Sequence, residues 1–442
     1  MVAYTASDTT ITALGEQQHF QSGSALRNRY ANSSSAYAIQ GLDWPLPNLK
    51  EIDAKADSSE GQVILDSAYA FFQGFYPASS YQNTTLANGT TIFSPLGGYT
   101  YIPVESVEFA DDVSFEAYSD CPNFTARNTA IYNSTGFKAV AANNSDFLKS
   151  LAPLVGERNV TLSNMWNIFD YMNVNYIHNA TFYNLISLET MKQARALANY
   201  HEWSVFTDPS PSGIGNVAGR ALLPNILNGV QDVADATNTL KMVYLGASYK
   251  PFLSFFNMTE VDNHNIVDYA SVMTLEVWNS TTGAQTVRMN FRNGSSTRDD
   301  GSDLVQMSMF NQSEIPLDTF LDTLTPYALT EVAWCNACGN NSTHSCDIYA
   351  EISKLNSTLS SLANSTSYAS ITSTDGKQHV SPVVAGVIGA MLAWVVAALA
   401  FVLWEAYKRK TVPRGWSRNG RATDSAYQLH TTSRAGSFTS AK

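Results

Sequence analysis

Charge is what this chain has least of. Only 14% of its 442 residues are Asp, Glu, Lys or Arg, against about a quarter in an ordinary domain. The 26 basic and 38 acidic residues leave a net charge of −12, which argues against a nucleic-acid-binding function. Glycine and proline, at 25 and 15 residues, are too few for a collagenous chain. No Gly-rich phosphate loop, HExxH or EF-hand pattern is present, so no cofactor or metal is expected. Internal repeats are not evident. What the chain does have is apolar material: 44% hydrophobic and 12% aromatic residues. That excludes a disordered chain, and the length suggests one large domain or two.

The charge is unevenly spread. Residues 383–404 (VVAGVIGAMLAWVVAALAFVLW) contain no ionisable side chain. At about 1.5 Å per residue a helix here spans the roughly 30 Å hydrocarbon layer. Trp404 and Tyr407 sit where aromatic rings favour the interface, and Lys408, Arg409 and Lys410 follow. From Glu405 onward the tail carries eight basic and two acidic residues, +6, which leaves −18 for the rest. The positive-inside rule puts the tail, residues 405–442, in the cytosol and the N-terminal body outside or in a lumen. A single-pass protein of the plasma membrane or another secretory-pathway membrane is expected.

Glycosylation sequons point the same way. Sixteen Asn-x-Ser/Thr sites lie before the apolar run and none after it. They are Asn32, Asn83, Asn88, Asn123, Asn133, Asn143, Asn159, Asn179, Asn257, Asn279, Asn293, Asn311, Asn340, Asn341, Asn356 and Asn364. Glycans on them would supply the solubility that charge does not. A translocated body needs a leader, yet MVAYTASDTTITALGEQQ has no apolar core. The expectation is a chain truncated at its start.

Cys121, Cys335, Cys338 and Cys346 are the only cysteines. With His344, the last three resemble a zinc knuckle. In an oxidising compartment two disulfides are the expected outcome, with three connectivities open. Cys121 should pair with one member of the C-terminal cluster, since three cysteines leave one over.

Along the chain the pattern alternates between helix and strand. Residues 14–30 read as an amphipathic helix with Leu14, Phe20, Leu26 and Tyr30 on one face. A short buried strand is predicted at 62–65, running into a helix at 67–75. Asn88-Gly89 marks a turn, and 99–107 reads as a strand that Pro103 assigns to an edge. Residues 115–206 are mostly helical, including 165–175 and 182–205, and suggest a helical cap inserted into the core. A helix at 217–233, a buried strand at 240–245, a helix opening at 251, a hairpin of 271–278 with 285–291, and a helix at 317–324 follow. Residues 347–382, rich in Ser, Thr and Asn, read as a stalk. The ectodomain is therefore 1–346.

Several segments resemble one family. LGEQQHFQSG (14–23) with LRNRY (26–30), and SAYAFFQGFYP (67–77), resemble the first two helices of histidine acid phosphatases. His201-Glu202-Trp203, Ala218-Gly219-Arg220 and Leu253-Ser254-Phe255-Phe256 are further similar pieces. The resemblance covers about residues 10–346 and is greatest to fungal membrane-anchored members. It implies a three-layer α/β/α core with a helical cap, phosphomonoesters as ligands, and hydrolysis through a phosphohistidine. The nucleophile motif, Arg-His-Gly-x-Arg, belongs upstream of residue 14, and no such segment exists here.

Other positions are present but changed. The family's third phosphate-binding arginine falls four residues before Ser67, at Val63, with Gln62 beside it. Neither side chain can make arginine's bidentate phosphate contact. Its His-Asp pair falls at Ser248-Tyr249, or at Tyr249-Lys250 in the neighbouring register. General-acid help is worth roughly 10²–10⁴-fold, and Tyr249 or Lys250 could give it only with a pKa far below about 10. His201-Glu202 is read as a helix-surface or cap feature, His19 as solvated, His178 as a loop residue and Ser67 as scaffold. Two readings result: a pseudophosphatase that uses the fold to bind a ligand, the cell wall or a protein, or an active acid phosphatase whose nucleophile lies upstream.

Overall fold

The computed structural model describes residues 10–367 except 60, 281, 282 and 299. Residues 1–361 form one compact unit, and residues 362–442 form a second, of which only the backbone up to residue 367 is described.

The chain opens with α1 (Ala13–Tyr30), capped by the Thr12 hydroxyl on the Gly15 amide. β1 (Ile52–Asp57) leads into α2 (Val63–Phe75), then a small hairpin of β2 (Thr84–Thr85) and β3 (Thr91–Ile92), and β4 (Glu105–Val107). A helical block follows: α3 (Pro122–Asn133), α4 (Thr135–Asn143), α5 (Ser145–Leu151), α6 (Met165–His178), α7 (Ala180–Leu185) and α8 (Leu188–Phe206). It builds its own core around Leu151, Leu162, Met165, Ile168 and Met172. This helical block, referred to below as the cap, falls within the stretch 115–206 that the sequence pattern marked as helical.

The chain then returns to the α/β layer with α9 (Val217–Ala234), β5 (Met242–Gly246) and α10 (Tyr249–Met258). β6 (Val272–Asn279), β7 (Gln285–Arg292), β8 (Val305–Met307) and β9 (Ile315–Pro316) follow, with α11 (Leu317–Leu324), α12 (Glu331–Cys338) and α13 (Cys346–Ser367) closing the described part. β1 pairs in parallel with β4 on one side and β5 on the other, Ile52 opposite Met242. The second sheet is antiparallel, β6 against β7 from Val272–Arg292 to Asn279–Gln285, with β8 and β9 on the far side of β7.

α1 and α2 lie backbone to backbone. A Cβ on Gly23 would overlap the Phe71 carbonyl oxygen, and one on Gly74 the Phe20 carbonyl oxygen. Both glycines belong to the resembling segments, so one packing requirement explains both. The apolar face expected for α1 is corrected here. Leu14 and Phe20 are exposed, and the buried face is Ser22, Gly23, Ala25, Leu26, Arg29 and Tyr30. Small residues make this seam, which periodicity of large ones cannot reveal.

Three other expectations change. Residues 62–65 are not a strand, because Val63 already begins α2; a short apolar run cannot be told from a buried helix by pattern. The strand before α2 is β1, whose IDAKAD sequence carries too little apolar weight to be recognised. In 99–107 the ladder starts only after Pro103, whose missing N–H cannot join it, and β4 is an edge strand. Residues 347–367 of the expected stalk are helical as part of α13, with Ile348, Ile352, Leu355 and Leu359 at helical spacing.

Cys121 is bonded to Cys338, and Cys335 to Cys346. The zinc knuckle is thereby excluded, since a disulfide sulfur is no thiolate ligand. Beneath these bonds Trp334 is fully buried and donates its indole N–H to the Ala117 carbonyl at 2.7 Å.

Candidate functional site

A cavity of about 1270 Å³ runs between the two sheets and under the cap. Four of the sequence-predicted positions line it: Val63 at the start of α2, and Ser248, Tyr249 and Lys250 where β5 turns into α10. Gln62 is exposed and does not. The structure thus brings together the positions that the resemblance marked, without a guanidinium, imidazole or carboxylate on any of them. Ser67 returns its hydroxyl to the Val63 carbonyl at 2.7 Å, a scaffold contact within α2.

Tyr249 is tied to the cap. Its hydroxyl donates to Glu202 Oε2 at 2.6 Å, and Glu202 Oε1 lies 2.6 Å from His201 Nδ1. His201 Nε2 is 3.0 Å from the Tyr132 hydroxyl. His201 and Glu202 side chains are each 2% exposed, so the helix-surface reading of this pair is corrected and the cap role is kept. Each polar atom in the chain of contacts has a partner, the condition for burying such groups. Burial, then the Glu202 charge, push the Tyr249 hydroxyl well above its ordinary range. The same two causes raise Tyr132 to about 12. A general acid at Tyr249 would need the opposite shift.

Lys250, Arg195 and Asp170 are similarly committed, and the Ser248 hydroxyl is not. The Lys250 ammonium sits 4.1 Å from the centre of the Tyr118 ring. Ser248 N-caps α10 by backbone alone, and its buried hydroxyl finds no hydrogen-bond partner among the described residues. Arg195, on the cap side of the cavity, pairs with Asp268 at 2.6 Å and donates to the Ile266 carbonyl at 3.0 Å. Asp170 accepts from the Tyr269 hydroxyl at 3.0 Å, and burial raises its carboxyl.

His19 is a further correction. It is half-buried and lines the cavity rather than facing solvent. Burial first, and the Arg292 charge second, lower its pKa to about 4, so it is neutral over most of the acidic range. No spacing in the sequence could reveal this, because α1 buries small residues rather than an apolar stripe. His178 is the last residue of α6 rather than a loop residue. Among the described residues no group of three or more His, Cys, Asp or Glu is placed to hold a metal ion.

The sequons divide by exposure. Asn340 is 6% exposed and its amide nitrogen donates to the Asp120 carbonyl at 2.8 Å, so it is not an acceptor in the folded chain. Asn257 is half-buried with its amide nitrogen 2.7 Å from the Asp208 carbonyl. Asn83 and Asn179 are half-buried, and the exposure of Asn364 lies outside the description. The remaining sites are exposed. Among the described residues no helix is long and apolar enough to cross a membrane; the 383–404 run and the 405–442 tail lie outside them.

Comparison with known proteins matches this architecture. The family model described as histidine phosphatase superfamily (branch 2) matches residues 2–292. The lysosomal acid phosphatase of Rattus norvegicus is 23% identical over 286 residues, 64% of this chain and 63% of that protein. The prostatic acid phosphatase of Homo sapiens is 22% identical over 285 residues, 64% of this chain and 68% of its own. The chain thus spans less than two thirds of the lysosomal enzyme's length. Among solved structures, a phytase of a Klebsiella species aligns with a TM-score of 0.54 at 13% identity, over 75% of this chain and 90% of that one. The apo phytase of Hafnia alvei aligns at 0.50 and 11% identity, over 74% and 88%. Core, cap and motif segments agree with the model match: the chain belongs to branch 2 of the histidine phosphatase superfamily.

Proposed function

We propose that this chain is a membrane-anchored, glycosylated member of the superfamily that does not hydrolyse phosphomonoesters, and that its cavity serves binding, with a small phosphomonoester as the ligand class. One observation carries this. The positions that should hold the third phosphate-binding arginine and the leaving-group acid line the cavity as Val63, Ser248, Tyr249 and Lys250, and burial and Glu202 drive Tyr249 away from acidity. The apolar run, the basic tail and the one-sided sequons support a single-pass anchor with the folded body outside the cytosol. The names of the relatives, acid phosphatases and phytases, support the ligand class.

The test is phosphate release from an aryl phosphate at pH 4 to 6 by the full chain in lipid nanodiscs, with and without vanadate. No vanadate-sensitive turnover is expected. Turnover that disappears in Tyr249→Phe or Lys250→Ala overturns the reading.

A further inference from the structure

We propose that α13 docks a second copy of this chain, the two helices lying parallel with Ile348, Ile352, Leu355 and Leu359 of one against those of the other. The parallel orientation rests on the membrane anchor proposed above; the pairing face rests on α13 itself.

α13 carries apolar residues that the body does not use. Among the described residues, Cys346 and Tyr349 are the only members of α13 in the body's hydrophobic clusters. Tyr349 also donates its hydroxyl to Glu331 at 3.4 Å, so the helix is held at its first turn. Leu355, further along, is 52% exposed, and Ile352 and Leu359 are half-buried without joining any of those clusters. Six of the nine residues 353–361 are Ser, Thr or Asn, which are weak helix formers. The helix there depends on packing rather than on propensity.

The width of the apolar stripe points to the partner. Steps of four, three and four residues keep Ile348, Ile352, Leu355 and Leu359 within about 60° of one another on a helix of 3.6 residues per turn. A helix laid on a globular core shows a stripe of about 100° or more, and the narrower one is the contact line of paired helices. In heptad terms Ile352 is at a and Leu355 at d, the choice that favours two parallel strands. A bilayer surface matches poorly, because interfacial helices are rich in Lys and Arg, and α13 has only Lys354.

The flanking positions suit a second copy. In a parallel pair Glu351 of one helix lies beside Asn356 of the other, so no like charges meet. The contact line from 348 to 361 is only two heptads long, which is too little to hold dilute chains together. Fifteen residues, 368–382, separate the described end of α13 from the apolar run 383–404. An anchor there confines copies to one plane in one orientation and raises their effective concentration.

The test uses the full chain in lipid vesicles. Asn356 is a sequon beside the stripe, so the background is Asn356→Gln, which keeps a glycan from obscuring the result. Leu355→Cys, oxidised by copper-phenanthroline, should give a disulfide-linked pair on a non-reducing gel. Its yield should exceed that of Ser357→Cys, on the opposite face, by about tenfold. Adding Leu359→Glu to Leu355→Cys should return the yield to the Ser357→Cys level. Three results overturn the pairing: equal yields at both positions, which mark random collision in the plane; no linked pair at either; or a yield that survives Leu359→Glu. Flotation reports the anchor separately, and a chain that does not float with the vesicles overturns the anchor and the parallel orientation with it.

Discussion

The two seams of the α/β core are built in opposite ways. Between α1 and α2, Gly23 and Gly74 bring the backbones so close that no Cβ fits. Between β5 and β6 the elements stand apart around a cavity of about 1270 Å³. The first seam retains family-like sequence because its geometry admits nothing else. The second is lined by Val63, Ser248 and Tyr249, the positions that the resemblance marked. A seam without room for a Cβ admits fewer residues than the wall of a cavity does.

Breaking the closed seam should have the largest effect. Gly23→Ala or Gly74→Ala should each destabilise the chain by about 3 kcal/mol, the upper part of the range for overpacking, measured by urea unfolding. Gly136→Ala in α4 is the control, since a Cβ there meets nothing within 4 Å, and it should be neutral or stabilise by about 0.5–1 kcal/mol. Next comes the wall that joins the open seam to the cap. Glu202→Gln removes the carboxylate that accepts from Tyr249 and contacts His201, and should cost about 2 kcal/mol. Tyrosine titration should then show the Tyr249 hydroxyl moving back toward its ordinary range.

A smaller effect should come from pH. His19 is held neutral when folded, down to about 4, whereas in the unfolded chain it titrates near 6.5. Between those values the unfolded chain binds the extra proton, so the contribution is full above about 6.5 and is lost as pH falls toward 4. Urea midpoints at pH 7 and 4.5 should differ less in His19→Gln than in the parent. The smallest effect belongs to the open seam itself. Val277→Phe should change stability by less than about 1 kcal/mol, because the cavity offers the room that a filled core lacks.

Much of the fold was legible where local pattern and tertiary fate agree. The β6–β7 hairpin, α9 and α11 follow their periodicity, the Asn88-Gly89 turn its composition, and Cys121 its arithmetic. β1 escaped because IDAKAD is held by ladders on both sides rather than by its side chains. The start of α2 was misread because its first turn is the apolar run Val63, Ile64 and Leu65, two of which line the cavity, and strand and helix use such a run alike. At the site, the changed positions could be found by counting from recognisable segments. The Tyr249–Glu202–His201–Tyr132 chain could not, because its members come from three distant stretches that only the fold assembles.

The bond between Cys121 and Cys338 spans 217 residues, and enclosed by it are most of the cap, α9 and both edges of the open seam. A protease that nicks any exposed loop in that interval separates no fragment from the rest. The cut chain would migrate as one species until a reductant is added, so backbone processing inside the interval can alter the molecule without releasing any of it.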